Sequence, residues 1–198
     1  INLDVAVTMD SQTIFKMIIL GMVFGVVGGL FAYVLGYSKQ FIGKKIPDLS
    51  KRIFFVGILI SLLLLIFHMG RYSGLGTNLI AASFGGESIY GYDWIIKFLL
   101  TILTLAAGFQ GGEVTPIFSI GASLGVWLAP LFGLPVEFVA ALGYASVFSS
   151  ATNTLIAPAL IGAEVFGFNY LPYFLFTVCI SYIFNGNHSI YKGQKSIF

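Results

Sequence analysis

Charge is what this sequence has least of. Asp, Glu, Lys and Arg make up 9% of its 198 residues, against roughly 25% in soluble globular domains. So few charged side chains cannot cover a folded globule in water, so most of the surface must meet lipid. Cysteine is almost missing. Cys179 lies inside an apolar run, which excludes a disulfide framework and fits a buried small hydrophobe. Histidine is limited to His68 and His188; with no partner pattern they are interfacial residues rather than metal ligands. No Ser-Lys or Ser-His pairing and no paired His or Asp signature occurs, which excludes an intramembrane enzyme. The net charge of +2 comes without a basic cluster interleaved with aromatics, so nucleic acid is not a partner. Ile1–Asp10 lacks the basic region and cleavage site of a secretory leader. The chain also opens without Met, as expected of a fragment or a processed or trimmed chain.

What is present is apolar sequence, 58% of all residues with a mean hydropathy of +0.95. A transmembrane helix needs about 20 apolar residues. Ile14–Leu35 and Ile53–Met69 qualify. Gly21 and Gly25, and again Gly25 and Gly29, form small-xxx-small pairs that let a neighbouring helix approach closely. A glycine-rich link over Gly70–Tyr92 is expected to hold one short helix near Asn78–Phe84. Further apolar runs cover Trp94–Ala107, Pro116–Leu131, Glu137–Ser149, Leu155–Phe166 and Tyr170–Phe184. They are interrupted by GFQGG, by SSATNT and by NGNH, after which a last helix is expected to restart. Several runs are too short to span a bilayer alone. Irregular backbone at membrane depth is tolerated where it is buried in protein or lines a cavity, and broken helices of this kind mark transporter and channel sites. The expectation is an all-α, polytopic membrane protein with tilted and broken helices, forming one transmembrane domain over residues 1–198.

Sidedness follows from basic residues. Lys39, Lys44, Lys45, Lys51 and Arg52 stand against Asp48 alone after the first span. Arg71 stands against Glu87 and Asp93 after the second. The first link is therefore cytoplasmic and the second external. Lys192 and Lys195 are cytoplasmic if the final helix runs inward.

The stretch GFQGGEVTPIFSIG, Gly108–Gly121, puts two glycines, a carboxylate and a proline between apolar runs. Gly111 and Gly112 let the incoming backbone bend. Thr115 fits an N-cap, and Pro116 the first helical position. The free N–H groups around Glu113, Val114 and Thr115 then point off a helix end, a ready anion site if the break is buried. A plain interhelical turn with Glu113 at the surface also accounts for the stretch. A carboxylate aimed into such a site would compete with the anion, so Glu113 is expected to point away. In NGNHSIY, Asn185–Tyr191, the Tyr191 hydroxyl either faces a cavity or belongs to an interfacial belt. Glu164 is either an intramembrane acid or a helix-end contact that orders a loop.

Four segments in order resemble one family. GFQGGEVTPIFSIGASLG resembles the second anion-binding segment of CLC chloride channels and transporters. GLGTNLI (Gly74–Ile80) resembles their short re-entrant segment, SSATNTLIAPALIGAEVFG (Ser149–Gly167) their paired helices O and P, and NHSIYKGQ the start of helix R. The acid and Val-Thr of GGEVTP are most similar to the bacterial fluoride/proton antiporter branch. The resemblance implies the second repeat of an inverted-repeat fold, the C-terminal half from helix J to the start of R. It implies halide transport, as anion/proton antiport in the intact protein, with a passive voltage-gated-type chloride channel or a non-transporting scaffold fragment as alternatives. The anion, chloride or fluoride, would meet the backbone N–H groups of Glu113 and Val114, the Thr115 side chain and the Tyr191 hydroxyl, with Asn153 and Glu164 in support. No cofactor beyond the bound halide is implied. The implied partners are halide, protons, the bilayer, a second copy in a homodimer, and an N-terminal half carrying the gating glutamate. The implied location is multi-pass in a cell membrane, the bacterial inner membrane.

Overall fold

The computed structural model describes residue 3, residues 5–191 and residue 194. Among the described residues eight α-helices follow one another: α1 (Ser11–Lys45), α2 (Leu49–Ile66), α3 (Thr77–Gly85), α4 (Asp93–Ala107), α5 (Val114–Phe132), α6 (Val136–Thr152), α7 (Ile156–Phe166) and α8 (Leu171–Ile183). No strand occurs among the described residues. Among the described residues three helices, α1, α2 and α5, are long and apolar enough to cross a membrane.

α1 runs further than its apolar stretch. Asp10 caps it, accepting from the Thr13 N–H at 2.8 Å, and Lys44 and Lys45 sit favourably at the negative end. Its 35 residues span about 52 Å, more than the roughly 30 Å hydrocarbon core, so the helix must tilt or project. The small-xxx-small pairs do what their spacing predicts. A Cβ added at Gly21 would strike Ile180, one at Gly25 the Ser181 carbonyl, one at Gly28 the Val147 carbonyl, and one at Gly29 the Asn185 carbonyl. α1 therefore lies backbone to backbone on α6 and α8. Ser150 Oγ donates to the Gly25 carbonyl across the first contact, and Ser181 Oγ donates to the Ser146 carbonyl at 3.1 Å between α8 and α6.

α5 and α6 form an antiparallel hairpin closed by Gly133-Leu134-Pro135, where Gly133 is left-handed with φ 58°. Gly121 and Gly143 face each other's carbonyls. Phe118 stacks on Tyr144 with ring centres 4.0 Å apart. Every residue of α6 from Phe138 to Thr152 is buried. By contrast, α2 buries Val56 alone and presents an apolar surface along its length.

Several boundaries depart from expectation. α5 starts at Val114, so Thr115 and Pro116 lie in its first turn and Glu113 holds the cap position. Proline tolerates that place too, because a first-turn N–H lacks a helical partner. The bend is carried by Gly108, left-handed at φ +98°; Gly111 and Gly112 keep ordinary φ and are exposed. α6 continues through SSAT and stops at Asn153, whose φ of 52° is the left-handed conformation that asparagine tolerates. Cys179 is exposed, not buried. Ser189–Tyr191 is not helical, and the expected final helix with Lys192 and Lys195 otherwise lies outside the described residues.

Candidate functional site

The break before α5 is built from both sides. α4 ends at Gly108, whose N–H returns to the Leu105 carbonyl. Arg52, from the first turn of α2, donates Nε to the Ala107 carbonyl at 3.0 Å, placing a cation on the negative end of α4. After residues 109–112, α5 opens with no side-chain cap. Its first backbone bond is Ile117 N–H to the Glu113 carbonyl at 3.3 Å, and Pro116 has no N–H. Among the described residues the N–H groups of Val114 and Thr115 therefore have no backbone partner, with the positive end of the helix dipole behind them.

Glu113 does not cap the helix. Its carboxylate is drawn to Lys39 on α1, at 3.9 Å. At that distance and with both side chains partly exposed the pair is weak. Lys39 in turn lines a cavity of about 270 Å³ with Gln40, Ser189 and Ile190. One lysine thus joins the two segments that the sequence singles out separately, GGEVTP and NHSIY.

The second segment is tied down through the end of α6. Asn185 Nδ2 donates to Asn153 Oδ1 at 2.6 Å in a buried pair, and Asn185 Oδ1 accepts from the Asn187 N–H. The Ile190 N–H reaches the Ala151 carbonyl at 2.9 Å, Ser189 Oγ the Thr152 carbonyl, and Gln194 Nε2 the Asn153 carbonyl. Thr152 and Thr154 share a hydroxyl contact at 2.6 Å, and Ser149 Oγ donates to the Thr154 carbonyl. Asn153 thus anchors the segment that carries Tyr191. Tyr191 itself is 43% exposed. Among the described residues no hydrogen bond or ring contact joins it to Glu113, Val114 or Thr115; its N–H donates to Ser189 Oγ. Glu164 is exposed in the last turn of α7. His188 lies against Tyr33, ring centres 5.0 Å apart. Among the described residues no cluster of His, Cys, Asp or Glu has metal-site geometry.

Three features escape a reading of sequence alone. Lys39 enters there as a topological charge only. Lys97 disappears into an apolar run, although a lone lysine within a membrane segment is a signal in itself. Asp93 begins α4 fully buried and gathers Arg71 Nη2 at 2.7 Å, the Tyr72 hydroxyl and the Tyr90 N–H. Burial, and then the hydrogen bond to Asp93, pushes the Tyr72 phenol above its ordinary range, and the Asp93 contact raises Arg71.

The α5 start is thus an uncapped, half-buried helix end whose neighbouring carboxylate is drawn to a lysine. The sequence profile described as voltage gated chloride channel matches residues 1–186. The chain belongs to that family. It is 34% identical over 197 residues to a chloride/fluoride channel protein of Pseudomonas syringae pv. tomato, covering 96% of this chain and 43% of the relative. It is 29% identical over 136 residues to an uncharacterised protein of Methanocaldococcus jannaschii, covering 67% of this chain and 34% of the relative. The crystal structure of a CLC-type fluoride/proton antiporter superposes with a TM-score of 0.97 at 50% identity, over 99% of this chain and 50% of that one. This CLC-family chain thus spans about half the length of the proteins it matches.

Proposed function

We propose that this chain is the C-terminal repeat of a CLC-type halide transporter, and that the free N–H groups at the start of α5 bind the passing anion. The observation that carries this is the uncapped α5 start, whose Glu113 pairs with Lys39, while Lys39 also lines a cavity with Ser189 and Ile190 of the segment that leads to Tyr191. Fluoride or chloride is the substrate, and in the complete protein its movement is coupled to protons. The fluoride/proton antiporter at 50% identity and the chloride/fluoride channel relative support that choice of ion. Glu113 is held toward Lys39, which lessens its repulsion of an anion at the helix start. Tyr191 donates its hydroxyl from the opposite side once the first repeat encloses the site. The complete protein works as a homodimer with one pore per subunit, multi-pass in the bacterial inner membrane, and the gating glutamate lies in the first repeat.

The test is flux from liposomes holding the full-length protein, with fluoride or chloride inside and a proton-sensitive dye. Val114→Ala is expected to leave halide affinity nearly unchanged, because its N–H survives. Thr115→Ala and Tyr191→Phe are each expected to weaken it by a hydrogen bond to a charged partner, about 1.5–3 kcal/mol. Abolished binding in Val114→Ala, with Thr115→Ala and Tyr191→Phe unaffected, would overturn the helix-terminus account. Halide flux without proton movement would favour the passive channel.

A further inference from the structure

The corner between α1 and α2 gathers positive charge with little opposite it. Lys39, Lys44, Lys45, Lys51 and Arg52 stand around Asp48, the one acid between residues 36 and 66. The Asp48 carboxylate caps α2, accepting from the Ser50 and Lys51 N–H groups at 2.9 and 3.2 Å. Lys39 is drawn to Glu113, and Arg52 serves the end of α4. Lys44, Lys45 and Lys51 are exposed, and among the described residues none of them pairs with a carboxylate. Lys44 and Lys45 suit the negative end of α1. Lys51 has no such reason. It sits in the first turn of α2, where the helix dipole disfavours a cation.

The surface beside Lys51 is apolar. Ser50, Lys51, Phe54 and Phe55 line a surface groove of about 590 Å³. Phe54 and Phe55 are 63% and 60% exposed and meet edge to face, ring centres 5.5 Å apart. Helical spacing carries the same face on to Ile58 and Leu62, both exposed. On α1, Tyr37 stacks on Phe41, and the Lys45 ammonium lies 5.0 Å over the Phe41 ring. Cations at the corner, aromatic rings next to them and an aliphatic stripe beyond match a molecule with an anionic head and an apolar tail. A soluble anion would leave the stripe unused. An apolar protein surface laid over the groove would bury Lys51 without a counter-charge. The same lysines put the corner on the cytoplasmic side, where the leaflet carries anionic lipid.

We propose that the groove at the start of α2 holds an anionic phospholipid of the cytoplasmic leaflet. Its phosphate meets the Lys51 ammonium and the Ser50 hydroxyl, and Lys44 and Lys45 strengthen the local positive field. An acyl chain lies over Phe54 and Phe55 toward Ile58 and Leu62. This surface is separate from the α5 start and does not depend on which ion the protein carries.

Native mass spectrometry of the full-length protein in detergent tests this, with titration by dioleoyl phosphatidylglycerol, dioleoyl phosphatidylcholine or glycerol 3-phosphate. Wild type is expected to bind the phosphatidylglycerol about tenfold more tightly than the phosphatidylcholine, and glycerol 3-phosphate not measurably. Lys51→Met is expected to weaken phosphatidylglycerol binding about fivefold, the worth of one basic residue near an anionic lipid surface, and to leave phosphatidylcholine binding unchanged. Lys16→Met, which removes a charge from the other end of α1, is expected to change neither. Replacing Phe54 and Phe55 together by serine is expected to weaken the binding of both lipids. Equal wild-type affinity for the two lipids would reduce the face to ordinary bilayer contact and overturn the proposal. Glycerol 3-phosphate bound as tightly as phosphatidylglycerol would make this a site for free phosphate and also overturn it. Unchanged phosphatidylglycerol affinity in Lys51→Met would put the lipid elsewhere, with the same consequence.

Discussion

Gly28→Ala adds one methyl group where α1 crosses α6, and the structure fixes its consequence. The new Cβ would lie 2.5 Å from the Val147 carbonyl oxygen, 2.7 Å from Ser150 Cβ and 2.9 Å from the Ala151 nitrogen. Two of these atoms are backbone, so no side chain can swing aside, and the helices must part by about 1 Å to reach ordinary contact. Overpacking of this kind costs about 1–3 kcal/mol. Separation also weakens the Ser150 hydroxyl bond to the Gly25 carbonyl, a further loss of about 0.5–1.5 kcal/mol. Replacing a mid-helix glycine returns about 0.5–1 kcal/mol. The net is a loss of about 2 kcal/mol, or about 4–8 °C in a unit of this size. Gly36→Ala, on the same helix with nothing within 4 Å of the added carbon, gains the propensity without the clash. Thermal unfolding of the full-length protein in detergent, followed by fluorescence-detected size exclusion, measures both. If Gly28→Ala proved as stable as Gly36→Ala, close backbone packing of α1 on α6 would not be what holds the bundle.

Asn185→Leu leaves Asn153 Oδ1 buried and unpaired, which should cost about 1–3 kcal/mol and speed hydrogen exchange at Ile190; unchanged exchange there would show that the amide pair does not anchor the segment. In the second link, the raised phenol of Tyr72 stabilises the fold fully below pH 10, its unfolded value, and the contribution fades as pH climbs beyond it. Alkaline unfolding curves should therefore flatten in Tyr72→Phe, and an identical slope in both proteins would refute the linkage. In a Cys179→Ser background, Lys45→Cys should react with an impermeant maleimide only from the cytoplasmic side. Labelling solely from outside would invert the topology.

Much of the bundle was legible because local pattern decides it. The run from Trp94 to Ala107 and the short helix near Asn78 stand close to where α4 and α3 form, since glycine clusters bound both. The glycine pairs of α1 announced close packing but not the partner, because α6 and α8 lie more than a hundred residues away. The length of α1 was not legible. Hydropathy stops near Leu35, yet Tyr37–Lys45 has no proline before Pro47, tolerates Gly43, and continues as helix. The start of α5 was misplaced by two residues, because Thr115 and Pro116 satisfy cap preferences equally well one step further out. At the candidate site the motif GGEVTP was visible. Its pairing with Lys39 was not, because an ion pair between residues 39 and 113 leaves no trace in spacing. Lys97 was overlooked for a different reason: averaged with its apolar neighbours, a single charge barely lowers the hydropathy of the run.

The burial of α6 from Phe138 to Thr152 bears on how the chain is made. A segment carrying Ser146, Ser149, Ser150 and Thr152 on buried faces is a poor candidate to enter lipid on its own during synthesis. α5 precedes it by a three-residue corner and offers the glycine surface that α6 needs. The two would leave the translocon as one hairpin, with α5 waiting at the lateral gate until its follower arrives. α1, already in the bilayer, then supplies the second wall, and α8 seals the third. Biogenesis would thus proceed around a helix that, beyond its first two residues, is walled off from the membrane it is inserted into.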